Sequence, residues 1–319
     1  LEVSGAISVA NDATVSIPAA GTTLTYSGGN LTIGAHTLEI GGAGTFSNNT
    51  SSPLVLAVED SVLDLTGSGI ISGPVRLEGC TLKASGSPTI SGDITQYDDA
   101  TIEVASGQTL NYSGASLNLG ENKLTLTGGG IFNNSYALVL DHEDSLLALS
   151  GIGEIRDVKA TTEAKSGKGV QVSASASDSG SIGIFNLTAK SYLDIAADKT
   201  LAGQLKLQSS ADLKLSGSGE YLGGIELAGG KFRVDSDRDL TGTVSLSASS
   251  EIIVPQGYSL DLNQSGGLDL GGDILSLNGT GALKFKNSID ITNGELKVSS
   301  GILNFASGGS VTGLTLESA

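Results

Sequence analysis

The chain reads as an all-β protein, a right-handed parallel β-helix with about 21 or 22 residues in each three-strand rung. Three observations predict this. The stretch Leu31 to Phe46, LTIGAHTLEIGGAGTF, recurs as LNLGENKLTLTGGGIF from Leu117 to Phe132 and as LDLGGDILSLNGTGAL from Leu268 to Leu283. Where the pattern is clearest, apolar-x-apolar triplets arrive every seven to nine residues, and each is a minimal strand with one face inward. The copies lie 86 and 151 positions apart, close to four and seven multiples of one period.

Taken in order, the triplets Val15–Ile17, Leu24–Tyr26, Leu31–Ile33, Leu38–Ile40, Leu54–Leu56 and Leu63–Leu65 fill the first part of the chain. Glycine and asparagine clusters separate them, at Ser27-Gly28-Gly29, Gly41-Gly42 and Ser47-Asn48-Asn49, where a chain turning a corner needs positive φ or close backbone approach. The whole passage returns between Ala100 and Gly153, with EDSVLDL at Glu59 reappearing as EDSLLAL at Glu143. Residues 1–156 are therefore read as N-terminal rungs. Asp157 to Ser181 is rich in Lys, Ser and Ala with only a brief Val170–Val172 pattern, and reads as an irregular loop or insertion. Alternation resumes at Ile182 and runs through Leu193–Ile195, Leu205–Leu207, Leu213–Leu215, Phe232–Val234, Val244–Leu246 and Ile252–Val254. Residues 182–319 are read as the C-terminal rungs of the same continuous solenoid. About fourteen rungs would make a rod on the order of 65–70 Å long.

No amphipathic helix caps either end, so the terminal rungs are expected to expose strand edges. Leu1 and Val3 at one end, and Leu314 and Leu316 at the other, are the expected interface through which the sheet continues into another copy. The missing initiator Met and an opening already in strand pattern suggest a processed chain or a fragment of something longer.

Composition agrees. The 319 residues include 46 Gly and 7 Tyr but no Met or Trp, which suits a narrow core of stacked Leu, Ile, Val and Ala. The net charge of −17 repels nucleic acid and anionic membranes, and no apolar run approaches transmembrane length. With one cysteine, Cys80, there is no intrachain disulfide and no multi-cysteine zinc site.

In its Leu-x-apolar-Gly triplets, Gly-x-Gly corners and paired asparagines, the chain resembles secreted right-handed parallel β-helix proteins. Autotransporter passenger domains and filamentous-haemagglutinin-like surface adhesins are the most similar. The resemblance covers nearly the whole chain outside Asp157 to Ser181. It implies export to the bacterial cell surface or beyond, and an adhesive or filament-forming role. The aspartate-bearing nonapeptide of calcium-bound toxin repeats, the regular cysteines of insect antifreeze solenoids and a serine-protease motif are all missing from this sequence.

Few residues suggest chemistry. Only His36 and His142 are available as bases, and the counterparts of His36 in the repeat are Asn122 and Asp273, as expected of a variable, solvent-facing turn. Asp141, Glu143 and Asp144 flank His142 in an acidic corner, where a hard cation such as calcium would take the carboxylates. A solvated loop is the plainer account, because Glu59-Asp60 occupies the equivalent place. Asp235, Asp237 and Asp239 would share one face if their segment were extended, as a second calcium site or an acid–base pair, although a polar turn explains them more simply. Asn48-Asn49 and Asn133-Asn134 occupy matching corners and read as ladder residues. The expectation is a non-enzymatic solenoid needing no cofactor, an adhesin stalk or a filament subunit joined end to end with itself. The alternative is a glycan-binding module or a polysaccharide lyase or hydrolase, with tyrosines such as Tyr192, Tyr221 and Tyr258 as sugar platforms.

Overall fold

The computed structural model describes residues 1–48, 53–151, 154–172, 180–264, 266–305 and 308–316. It is an all-β solenoid of parallel strands with about 13 turns, against the fourteen rungs expected, and among the described residues there is no helix. The chain packs as two units, one built chiefly from Leu1–Val158 and the other from Lys159–Ala174 and Ser181–Ala319.

In the first unit three faces repeat. Glu2–Val3, Thr23–Tyr26, Thr45–Asn48, Ile70–Ile71, Thr89–Ile90, Thr109–Tyr112 and Ile131–Asn134 pair successively on one. Ser8–Val9, Leu31–Ile33, Leu54–Leu56, Val75–Leu77 and Ile94–Gln96 do so on the second. The third carries Ala13–Ile17, Thr37–Gly42, Val62–Leu65, Thr81–Ala84, Ala100–Val104, Lys123–Thr127 and Leu146–Ser150. Alternation of side chains sends one column inward, so Leu38, Leu63, Leu82, Ile102 and Leu126 stack in register and are buried.

The steps along this column are uneven. Leu38 and Leu63 are 25 positions apart, Leu63 and Leu82 only 19, Leu82 and Ile102 20, and Ile102 and Leu126 24. Strands keep their length while corners absorb the variation. Four turns thus take 88 residues from Leu38 to Leu126, whereas the sequence copies are offset by 86. The copy of Leu38, which is Leu124, therefore packs one inward site away from the Leu38 column.

The Gly-x-Gly corner has one physical cause in all three copies. Gly42, Gly128 and Gly279 have φ of +101°, +102° and +88°. A Cβ on them would lie 2.2, 2.3 and 2.2 Å from the carbonyl oxygens of Ile17, Val104 and Val254 in the preceding turn. Two residues on, the N–H groups of Gly44, Gly130 and Gly281 donate to those same three carbonyls, each at 2.9 Å. The motif is a corner in which backbone lies directly on backbone.

In the second unit, Lys190–Ile195, Asp212–Gly217, Lys231–Val234, Ser250–Ile253, Ile274–Asn278, Glu295–Val298 and Leu314–Leu316 pair successively. Within Asp157 to Ser181 the described residues include the end of the strand Glu154–Ala160, the strand Gly169–Val172 and the start of Gly180–Leu187, and residues 173–179 lie outside the description.

Candidate functional site

The acidic corner around His142 is held by bonds within the turn and to Gly120. Asp141 Oδ1 accepts the Gly120 N–H at 2.9 Å, and the Asp144 N–H donates to His142 Nδ1 at 3.2 Å. The residue that organises the corner is Ser145, fully buried, whose Oγ donates to Gly120 O and accepts the His142 N–H. Ser61 does the same in the earlier copy. It is also fully buried, donates to Ile33 O at 2.7 Å, and accepts the Val58 N–H at 3.2 Å. In the repeated EDS it is thus the serine that turns inward. Glu143 and Asp144 lie beside it at the surface side of the turn.

Asp235, Asp237 and Asp239 do not form a row. Asp235 and Asp237 lie in the turn between the strands Lys231–Val234 and Arg238–Leu240, and only Asp239 belongs to a strand. Asp235 pairs with Lys214 at 2.9 Å, and Asp237 Oδ1 accepts the Ser259 N–H at 2.7 Å. Asp239 points to solvent, in register with Asp261, which Lys284 and Lys286 approach to 3.5 and 2.7 Å. Arg238 between them is buried and donates to the carbonyls of Gly217 and Gly219, and burial lowers its pKa from the usual value. Among the described residues no three His, Cys, Asp or Glu side chains converge as metal ligands would.

Asparagines and tyrosines also serve the corners. Asn134 is buried, donates to Tyr136 O and Asp157 O at 2.9 Å, and accepts the Arg156 N–H at 3.0 Å. Asn133 donates to Asn111 Oδ1 at 2.7 Å, a true side-chain ladder, and Asn48 donates to Pro74 O at 3.0 Å. Asn49 lies outside the described residues. Tyr221 is no sugar platform. It is buried, and its hydroxyl sits 2.9 Å from the carbonyls of both Gly203 and Gly224. Tyr112 is equally buried, accepting the Ile94 N–H at 3.1 Å and donating to Ala115 O at 2.7 Å.

The terminal turns carry a different kind of feature. Among the described residues Glu2–Val3, Ser8–Val9 and Ala13–Ile17 each pair on one side only, with Thr23–Tyr26, Leu31–Ile33 and Thr37–Gly42. The Leu1 and Val3 carbonyls accept the N–H groups of Thr25 and Ser27 at 2.7 and 2.9 Å. Parallel strands alternate the side on which successive residues bond, so the Glu2 N–H and C=O face the open side. Behind this edge the interior opens into an apolar cavity of about 160 Å³, lined by Val3, Val9, Val15, Leu24, Tyr26 and Phe46 among others. Leu1 is 90% exposed. At the other end Leu314–Leu316 pairs only with Glu295–Val298 among the described residues, and Leu314 is 48% exposed. The side chain of Leu316 lies outside the description. No family model matches the chain, and neither a curated protein nor a solved structure gives a match.

Proposed function

We propose that this chain is a structural β-solenoid of the bacterial cell surface or extracellular space, stacking head to tail with copies of itself as a filament subunit or adhesin stalk. The observation that carries this reading is the first described turn, in which three strands pair on one side only among the described residues, beside an open apolar cavity. Water can satisfy the edge N–H and C=O groups but gains nothing from the cavity, so a covering turn removes apolar surface and pairs the edge together. A second copy offers what is needed, because Ile302–Phe305, Gly309–Val311 and Leu314–Leu316 each pair in parallel with one preceding strand among the described residues and present their other edge. A parallel, heterologous contact of this kind makes open fibres wherever its rotation does not close into a ring. The location comes from the resemblance to secreted solenoids. The reading assigns no catalysis, since Asp235, Asp237 and Asp239 each face a different environment.

Negative-stain electron microscopy of the purified chain, with and without calcium, tests it. Fibres one solenoid wide are expected, and alanine at Asp235 or Asp237 should leave them intact. Glu2→Pro removes the outward N–H at the cost of one exposed side-chain bond within the chain, from the Ser27 hydroxyl to the Glu2 carboxylate, and should give single particles. Single particles from the unaltered chain at every concentration, or fibres indifferent to Glu2→Pro, would overturn the proposal.

A further inference from the structure

The corner joining the second and third faces of the first unit changes length from turn to turn. Register leaves Ala57–Ser61 between paired strands in one turn but only Glu78–Cys80 in the next, two residues fewer. The short corner recedes between its neighbours and leaves a lateral groove of about 590 Å³. Glu59, Glu78, Asp98, Asp99, Thr101 and Thr125 are among the residues that line it. Gly79 lines it at φ +70°, where a Cβ would only touch its neighbours, 3.8 Å from the Glu59 nitrogen and 4.0 Å from Asp98 Oδ2.

The walls are fixed. Asp99 Oδ1 accepts the Lys123 N–H at 2.7 Å, and Gln96 Nε2 donates to the carbonyls of Lys123 and Asp98 at 2.9 and 3.0 Å. Thr81, Thr101 and Thr125 are in register, which places three hydroxyl-bearing residues in file along the groove at about 4.8 Å intervals. Immediately before the lining residue Asp98 stands Tyr97, 61% exposed, with the Arg76 guanidinium 4.1 Å from its ring centroid. Arg76 in turn ion-pairs with Glu78 in the groove, so an exposed aromatic ring is held in one orientation beside a polar trough.

We infer that this groove is a binding site for an oligosaccharide of amino sugars. A pinned tyrosine offers a rigid apolar face to a pyranose ring, and the row of hydroxyls suits a ligand that repeats along the solenoid. Its volume falls in the range of small-ligand sites. Charge selects the class of sugar. Among the lining residues Glu59, Glu78, Asp98 and Asp99 outnumber Lys123, so an ammonium-bearing sugar is attracted while uronates and sulfated chains are repelled.

The site is independent of the terminal turns, so it can be tested whether or not the chain forms fibres. Isothermal titration calorimetry with short oligomers of glucosamine, N-acetylglucosamine and galacturonate is the experiment. The glucosamine chain should bind most tightly and weaken with added salt, the acetylated chain should bind less well, and the uronate chain should not bind. Tyr97→Ala, at an exposed position, should weaken binding about tenfold, the scale of one lost aromatic contact. Thr101→Trp, on the outer face of a strand, should fill the groove and abolish binding with the thermal melt unchanged. No binding of the glucosamine chain, equal binding of the uronate chain, or binding unchanged in both variants would overturn the inference.

Discussion

At the scale of the residue, this fold is decided by atoms that occupy corners. Gly128 sits at φ +102° with its missing Cβ aimed at Val104 O, as Gly42 and Gly279 are aimed at their own preceding turns. Gly128→Ala must therefore pay for both the positive φ and displacement of a stacked strand. It should lower unfolding stability by at least about 1 kcal/mol, read from urea denaturation. Ala at Gly107, which also has positive φ but has nothing within 4 Å of the added carbon, should cost less and so separates the two effects. The EDS corners make the complementary case. Ser145→Ala strands the Gly120 carbonyl and the His142 N–H, a loss of about 1–3 kcal/mol, while Glu143→Ala should stay within about 0.5 kcal/mol in the same assay. The sequence points to the acidic residues of that corner because carboxylates are conspicuous. Period-two alternation lapses in a turn, so pattern alone could not say that the serine is the member turned inward.

Elements show how far such patterns reach. The triplets name the strands and their inward side chains correctly, since a strand buried on one face has to alternate, although they do not say which inward side chains share a column. Corner lengths were not legible, because a parallel solenoid tolerates insertions wherever its backbone meets water. Steps range from 19 to 25 residues with little effect on the core, and the lateral groove beside Gly79 is a by-product of that freedom. Outer faces follow another rule, visible only once register is known. In the second unit Lys190, Asp212, Lys231 and Glu251 stand in one outward column with alternating sign, and Lys231 reaches Glu251 at 2.8 Å. On a neighbouring face Lys206 and Glu226 pair at 2.8 Å, and the hydrogen bond from Lys206 holds the Glu226 carboxyl below its ordinary pKa, helped by Ser247 and opposed by burial. A depressed folded pKa stabilises above the unfolded value, about 4.3, and that stabilisation is lost as pH falls through the folded one. Thermal melts of the unaltered chain and Glu226→Gln should therefore differ at pH 7 and converge in acid. A gap that persists below pH 3 would assign the difference to packing instead.

For the molecule as a whole, the net charge of −17 sets the conditions under which copies can meet. Every approach of one chain to another is opposed by like charge, while the terminal turn offers only short-range gains, edge hydrogen bonds and a cavity of about 160 Å³. Screening shortens the repulsion to about 8 Å at physiological ionic strength without weakening either gain. Head-to-tail stacking should therefore strengthen with salt, and sodium sulfate should surpass sodium chloride at equal ionic strength because it also favours apolar burial. Static light scattering across a salt series reads this directly, with Glu2→Pro as the blocked control. Calcium should act only as an ionic-strength equivalent if the acidic corners serve their own turns, as Asp141 does toward Gly120. An excess effect of calcium, lost on Asp141→Asn, would instead make that corner a bridge between chains. Fibres that dissolve as salt rises would show that complementary charge, rather than the open apolar turn, joins the copies, and would remove the basis for stacking through the first three strands.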